Sequence, residues 1–247
     1  MHPQDDAAPP TTPPVLDVPP GLGVDLQEAT QRLVRTVDGL TDDDHRGPSL
    51  LPGWTRAHVV AHLALNAEAL VEALDGVLAG EPVPMYVSQE ARDADIEALA
   101  AADPATLRGR LFAGGTRLGD ALAGLDGAPL ETAATVVRRT ADGERTFLAG
   151  EVVLMRLREV EIHHVDLDAG HGRDAWPPTF SSLLVDDLRG RTAATLVLTD
   201  LDRRYEADAG EPTVSGTAAD LGWWLSGRGD GAGLTCDLGP VPPVAAW

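Results

Sequence analysis

Two pairs of residues in this chain are spaced to hold a metal ion. In "LREVEIHHVDL", residues 157–167, Glu159 and His163 are four apart. On an α-helix that spacing stacks the two side chains on one face, one turn above the other. A carboxylate and an imidazole so placed can grip one divalent cation from a single rigid element. His58 and His62 share the spacing in "TRAHVVAHLALNAEAL". Catalytic zinc takes three protein ligands from His and carboxylate and keeps a further position open. One histidine of the earlier stretch, with Glu159 and His163, would complete such a set. The plainer alternative pairs Glu159 with Arg156 or Arg158 on a solvated face. His163 and His164 cannot both join Glu159, because helix neighbours point about 100° apart. The spacing selects His163, and Glu161 reads as a solvated residue. In the earlier stretch His62 lies deeper, among Val59, Leu63 and Asn66. His58 sits on the first turn, where it serves equally as a cap-region group or as a partner behind a ligand.

Helices must position these groups, and the pattern supplies them. "DLQEATQRLVRTVDGL" carries Leu26, Ala29, Leu33 and Val37 at helical spacing, with Asp25 as N-cap. "TDDDHRGPSLLPGW" reads as loop. A second helix opens at Thr55 and ends at Gly80 and Pro82. After the loop "EPVPMYVSQ" comes a short helix, "EARDADIEALAAA". A longer one follows, "DPATLRGRLFAGGTRLGDALAGL", with Asp103 as N-cap and Pro104 at its first position. "ETAATVVRRTADGERTFLAG" reads as a hairpin about Asp142-Gly143, or as an extended crossover. The Glu159–His163 helix spans about 150 to 168. Four substantial helices suggest a bundle, in which metal ligands project inward from facing helices. Beyond "GHGRDAWPP" the texture changes. "TFSSLLVDDLRGR" is helical, "AATLVLTD" and "RRYEAD" alternate as paired strands, "TVSGTAADLGWWLSGRG" is a strand end leading into a helix, and "GLTCDL" is a further strand. The expectation is an α+β protein of two domains. Residues 1–24 form a disordered Pro-rich tail, 25–169 the helical bundle and 170–247 a small α/β domain.

Composition narrows the function. The 247 residues are 43% apolar but only 4% aromatic, so alanine, leucine and valine fill the core. That favours close-packed helices over an aromatic-rich sandwich. The net charge of −20, with no lysine, repels phosphate backbones and argues against nucleic acid. Cys236 is the single cysteine, so an internal disulfide and a Cys-rich zinc motif are both excluded. A lone cysteine in a predicted strand reads as a buried structural residue. The N-terminus lacks the features of a signal peptide, and no apolar run approaches the roughly 20 residues of a membrane span. A cytoplasmic, monomeric protein is expected, acting on small molecules with no nucleic-acid or membrane partner.

"LPGWTRAHVVAHLALNAEAL", residues 51–70, closely resembles the signature of the mycothiol-dependent maleylpyruvate isomerase family. That family belongs to a wider class of DinB-like metal-binding helical bundles. The likeness continues at "PMYVSQEARDADIEAL", at "LMRLREVEIHHVDL" and at "VSGTAADLGWWLSGRG", in the family's order. It implies an N-terminal DinB-like four-helix bundle and a C-terminal α/β domain. It also implies zinc ligands at His62, Glu159 and His163, which leaves His58 outside the set. The chain departs from the family pattern at Glu161, where a bulky apolar residue is usual, and at His164, where a small one is.

The implied cofactors are Zn2+, or another divalent metal, and mycothiol. The implied reaction is the cis–trans isomerisation of maleylpyruvate to fumarylpyruvate in gentisate breakdown. A zinc-bound thiolate adds to the double bond, the resulting single bond turns, and the thiol leaves. The substrate is a dianion, for which arginine is the suited partner. Arg228 in "SGRGDG" is the candidate catalytic and substrate-binding group, with Arg92 in "SQEARD" and nearby Tyr86 as further substrate contacts. Trp54 is expected to staple the second helix, and Trp223 and Trp224 to pack in the core and between the domains, with a pocket wall as the alternative for one of them. Two other readings compete. One is a mycothiol S-transferase, which would consume the thiol. The other is a non-catalytic zinc-binding regulator with a closed site.

Overall fold

The computed structural model describes residues 19–245, so most of the expected N-terminal tail lies outside the described residues. Helix α1 (Leu22–Asp38) begins three residues before the expected start. Its N-cap is Gly21, in the left-handed region with φ 92°, and not Asp25. Asp25 instead lies in the first turn, where its carboxylate faces the positive end of the helix dipole. The spaced residues Leu26, Ala29, Leu33 and Val37 are all buried, as their period requires.

A short helix, α2 (Asp42–Arg46), occupies the "TDDDHR" stretch that the sequence reads as loop. Its cap explains it. Asp44 N donates to Thr41 Oγ1 at 3.2 Å, and Thr41 N donates to Asp44 Oδ2 at 2.9 Å. This reciprocal pair satisfies two backbone donors that a short helix leaves open.

Helix α3 (Arg56–Leu78) buries residues on nearly every side, from Val59 to Val77. Among the described residues it is the one helix long and apolar enough to cross a membrane, a length the sequence reading does not find. Most of its apolar stretch is buried inside the protein, as in a core helix. Near its end Gly76 faces the returning chain. A Cβ there would lie 2.8 Å from the Glu81 carbonyl oxygen and 3.2 Å from Val83 N. In an open helix interior, alanine is favoured over glycine by up to about 1 kcal/mol. Here the sign should reverse. Gly76→Ala is expected to lower the denaturation midpoint, whereas Gly109→Ala, which meets open space, is expected to raise it. A shift of the same sign in both variants would contradict the packing.

Helix α4 (Gln89–Ala100) is capped by Ser88, whose side chain accepts from Ala91 N at 3.1 Å. Helix α5 (Pro104–Asp126) has Asp103 as N-cap, accepting from Thr106 N at 2.9 Å, with Pro104 opening it as expected. After α6 (Leu130–Ala133), strands β1 (Val136–Arg138) and β2 (Thr146–Leu148) pair antiparallel, with Val137 opposite Phe147. The hairpin is therefore the correct one of the two sequence alternatives. Helix α7 (Val152–Asp166) carries the Glu159–His163 pair.

The chain gathers into two compact units. The first comprises residues to His45 and Ala57–Leu157; the second comprises Arg46–Arg56 and the chain from Arg158. Helix α7 starts in the first and ends in the second. The core of the first includes Leu70, Leu74, Val77, Leu118, Leu125, Phe147 and Val152.

The second unit holds α8 (Pro178–Leu188), a four-stranded sheet and α9 (Ala218–Leu225). Its strands are β3 (Thr195–Leu198), β4 (Arg203–Tyr205), β5 (Thr213–Gly216) and β6 (Thr235–Cys236), in the order β4-β3-β5-β6. β3 pairs antiparallel with β4 and parallel with β5, and β6 pairs antiparallel with β5. Thr217 caps α9, accepting from Asp220 N at 3.1 Å. Trp223 and Trp224 are buried, as expected. Cys236 lies in a strand but is partly exposed rather than buried, because β6 is a two-residue strand at the edge of the sheet.

Candidate metal centre

Helix α3 presents His62, which is 4% exposed. Helix α7 is fixed against α3 by Arg156, a charged residue that is 1% exposed. Its Nη1 donates to the Leu63 carbonyl oxygen at 2.9 Å and to Asn66 Oδ1 at 2.7 Å. This anchor sits one residue from His62 on α3 and three residues before Glu159 on α7. Arg156, Glu159 and His163 then follow at spacings of three and four, so one face of one rigid helix carries them all. One ligand atom each from His62, Glu159 and His163 lies within 4.8 Å of the other two.

The donor set fits a divalent ion. His163 Nε2 and Glu159 Oε2 are 3.3 Å apart. Two ligands at about 2.0–2.1 Å from a tetrahedral zinc stand roughly 3.3 Å from each other. Two imidazoles and one carboxylate also form a familiar ligand set for catalytic zinc. The electrostatics agree. Burial opposes protonation of His163, yet contacts with Asp166 and Glu159 outweigh it and raise its pKa above the usual imidazole value. Burial likewise pushes Asp166 up, but His163 and Arg228 outweigh it and hold its carboxyl below the usual range. The surroundings of His163 favour positive charge, as a cation site should.

Behind the ligands stands a group that the sequence reading did not single out. Asp166 is 0% exposed, and its Oδ2 lies 2.9 Å from His163 Nδ1. Arg228 donates to this carboxylate through Nη2 at 2.9 Å and through Nε at 3.2 Å, and its Nη1 donates to the Ser226 carbonyl oxygen at 3.1 Å. The arginine expected to meet substrate thus meets Asp166. A carboxylate three residues after a predicted ligand was a usable signal, since that spacing also shares a helix face.

On α3's side, Arg92 Nη2 lies 3.1 Å from His62 Nδ1, and its guanidinium is 5.8 Å from the centre of the Tyr86 ring. Arg92 and Tyr86 therefore neighbour each other, and Arg92 neighbours a ligand. An imidazole nitrogen accepting from Arg92 has its lone pair engaged. If an ion binds through that nitrogen, the guanidinium must release it. If the ion binds through Nε2, then Nδ1 carries the proton and the guanidinium must again turn away. Binding by His62 therefore releases Arg92 Nη2 on either route, while Arg92 Nη1 stays on Asp93 Oδ1 at 2.7 Å. His58 pairs instead with Glu97, Nε2 to Oε2 at 3.3 Å, and is no member of the trio.

Glu161 is not solvated as expected. It is 1% exposed, with its Oε2 3.9 Å from His171 Nε2. His164 stacks on His171 with ring centroids 3.7 Å apart. The segment following α7 covers this face, and Trp176 Nε1 donates to the Glu161 carbonyl oxygen at 3.1 Å. By helix rotation Glu161 and His164 point away from Glu159 and His163.

Comparison with known proteins adds an independent line. The sequence model of a family described as the mycothiol maleylpyruvate isomerase N-terminal domain matches residues 26–168. A crystal structure of the mycothiol-dependent maleylpyruvate isomerase is similar to this chain at 31% identity, with a TM-score of 0.79. That of its histidine-to-alanine mutant is also 31% identical, with a TM-score of 0.80. Each similarity covers 94% of this chain and 98% of the other. No curated protein matches.

Proposed function

This chain belongs to the mycothiol maleylpyruvate isomerase family, and on that premise we propose that it is a metal- and mycothiol-dependent isomerase converting maleylpyruvate to fumarylpyruvate. The observation that carries the reading is the convergence of His62, Glu159 and His163 within 4.8 Å. His62, Glu159 and His163 would hold a divalent ion, which would supply mycothiol as a thiolate at neutral pH, the nucleophile that reversible addition to and elimination from the conjugated double bond requires.

The residues of the chain supply the rest. Glu159 and His163 hold their share of the ligands in fixed register on one helix, and His62 meets them from α3. Arg92, released from His62 when that imidazole takes up its ligand role, offers a planar pair of donors to a substrate carboxylate. The Tyr86 ring lies near this guanidinium and steadies its position by cation–π attraction. Burial of His62 and of Asp166 behind His163 keeps bulk water from competing for the ligand atoms.

The experiment follows substrate, product and free thiol together. With mycothiol present, maleylpyruvate should disappear, fumarylpyruvate should appear in equal amount, and the free thiol should return to its starting level. Conversion that proceeds equally well without mycothiol would refute the proposal. Loss of one thiol per substrate would refute isomerisation in favour of transfer.

A further inference from the structure

We propose that Asp166 and Arg228 are positioning residues that set the orientation and tautomer of His163, so that its Nε2 is the nitrogen offered to the metal. The inference rests on the metal reading given above and adds to it the groups that prepare one ligand.

A neutral imidazole carries one proton, on either ring nitrogen, and only the other nitrogen can bind a metal. The choice is made by whatever the protonated nitrogen meets. His163 Nδ1 meets Asp166 Oδ2 at 2.9 Å, while Nε2 faces Glu159 Oε2 at 3.3 Å. Both carboxylates only accept, and Asp166 is the nearer and the more deeply buried, so it draws the proton to Nδ1 and leaves the lone pair on Nε2, toward Glu159. An acceptor behind a histidine also fixes the ring plane and raises its basicity toward the ion.

Asp166 itself needs support. It is fully buried, and a buried carboxylate is costly without a partner. Arg228 supplies one: Nη2 donates to Oδ2 at 2.9 Å, and Nε is shared between Oδ2 at 3.2 Å and Oδ1 at 3.3 Å, so both carboxylate oxygens are engaged. Two main-chain contacts hold the pieces in place. Arg228 Nη1 donates to the Ser226 carbonyl oxygen, and the Asp166 carbonyl oxygen accepts from Leu50 N at 2.8 Å. The order of action is Arg228 on Asp166, Asp166 on His163, and His163 on the ion. Arg228 therefore serves the reaction through Asp166.

The test measures Zn2+ affinity of the full-length protein by competition with a chromophoric chelator, alongside the melting temperature of the metal-free form. Asp166→Ala is expected to weaken Zn2+ binding about 10–100-fold. Asp166→Asn, which keeps an acceptor for Nδ1–H, should recover part of that loss. Arg228→Gln should give a smaller loss of the same sign. If Asp166→Ala does not fold, Arg228→Gln and Asp166→Asn carry the test. A change in melting temperature with Zn2+ affinity at the wild-type value in these variants would overturn the inference and leave the metal reading standing. Failure of the wild-type protein to bind Zn2+ would overturn both.

Discussion

Replacing His62 or His163 by alanine is expected to remove metal binding and thiol-dependent turnover together. Each side chain offers one of the three potential ligand atoms that lie within 4.8 Å of one another. Without His62, α3 contributes nothing and the ion is left with two ligands from one helix. Without His163, the Glu159 carboxylate loses its partner at 3.3 Å, and Asp166 keeps only Arg228. Losing a partner behind a ligand typically costs about 10–100-fold in affinity or activity. Losing a ligand should cost more, so kcat/KM should fall by more than about 100-fold in both variants. Metal content of the purified proteins and kcat/KM with mycothiol check this. Circular dichroism separates loss of the site from loss of the fold. Full metal occupancy in either variant would remove that residue from the ligand set.

Arg156→Ala is expected to destabilise the protein by about 2–4 kcal/mol. The side chain is almost wholly buried, and its removal has two consequences. It leaves a void where a large side chain packed, and it deprives Asn66 Oδ1 and the Leu63 carbonyl oxygen of a charged donor. Arg156→Met refills most of the volume without restoring the donor, so it should cost less than alanine; the difference reports the void. Because this anchor fixes α7 on α3 beside His62, both variants should also bind metal more weakly. Denaturant unfolding gives the stability change, and chelator competition gives the affinity. An alanine variant with the wild-type midpoint would show that Arg156 does not hold these helices together.

The parts of this site that follow from local geometry were readable in the sequence. The spacing of Glu159 and His163 sets them on one face of any α-helix, and the rotation per residue excludes His164. The cap at Asp103 and the apolar period of α1 are equally local. The choice of His62 over His58 needed the resemblance to a family, because spacing treats the two alike. What was not readable depends on segments far apart in the chain. Arg228 lies 62 residues from Asp166, and nothing in "SGRGDG" names its partner. Glu161 sits among charged and polar neighbours, and the segment that covers it carries His171 and Trp176, so its burial is a tertiary event. The start of α1 at Leu22 depends on a left-handed backbone at Gly21 that glycine permits but does not announce.

The most direct measurement loads the metal-free protein with one equivalent of Co2+ and titrates it with mycothiol while recording the near-ultraviolet spectrum. Binding of a thiolate sulfur to Co2+ at these ligands produces a charge-transfer band. The account predicts a band that grows to saturation at one thiol per ion and is absent from His163→Ala. A wild-type protein that takes up Co2+ but shows no such band at saturating mycothiol would contradict it.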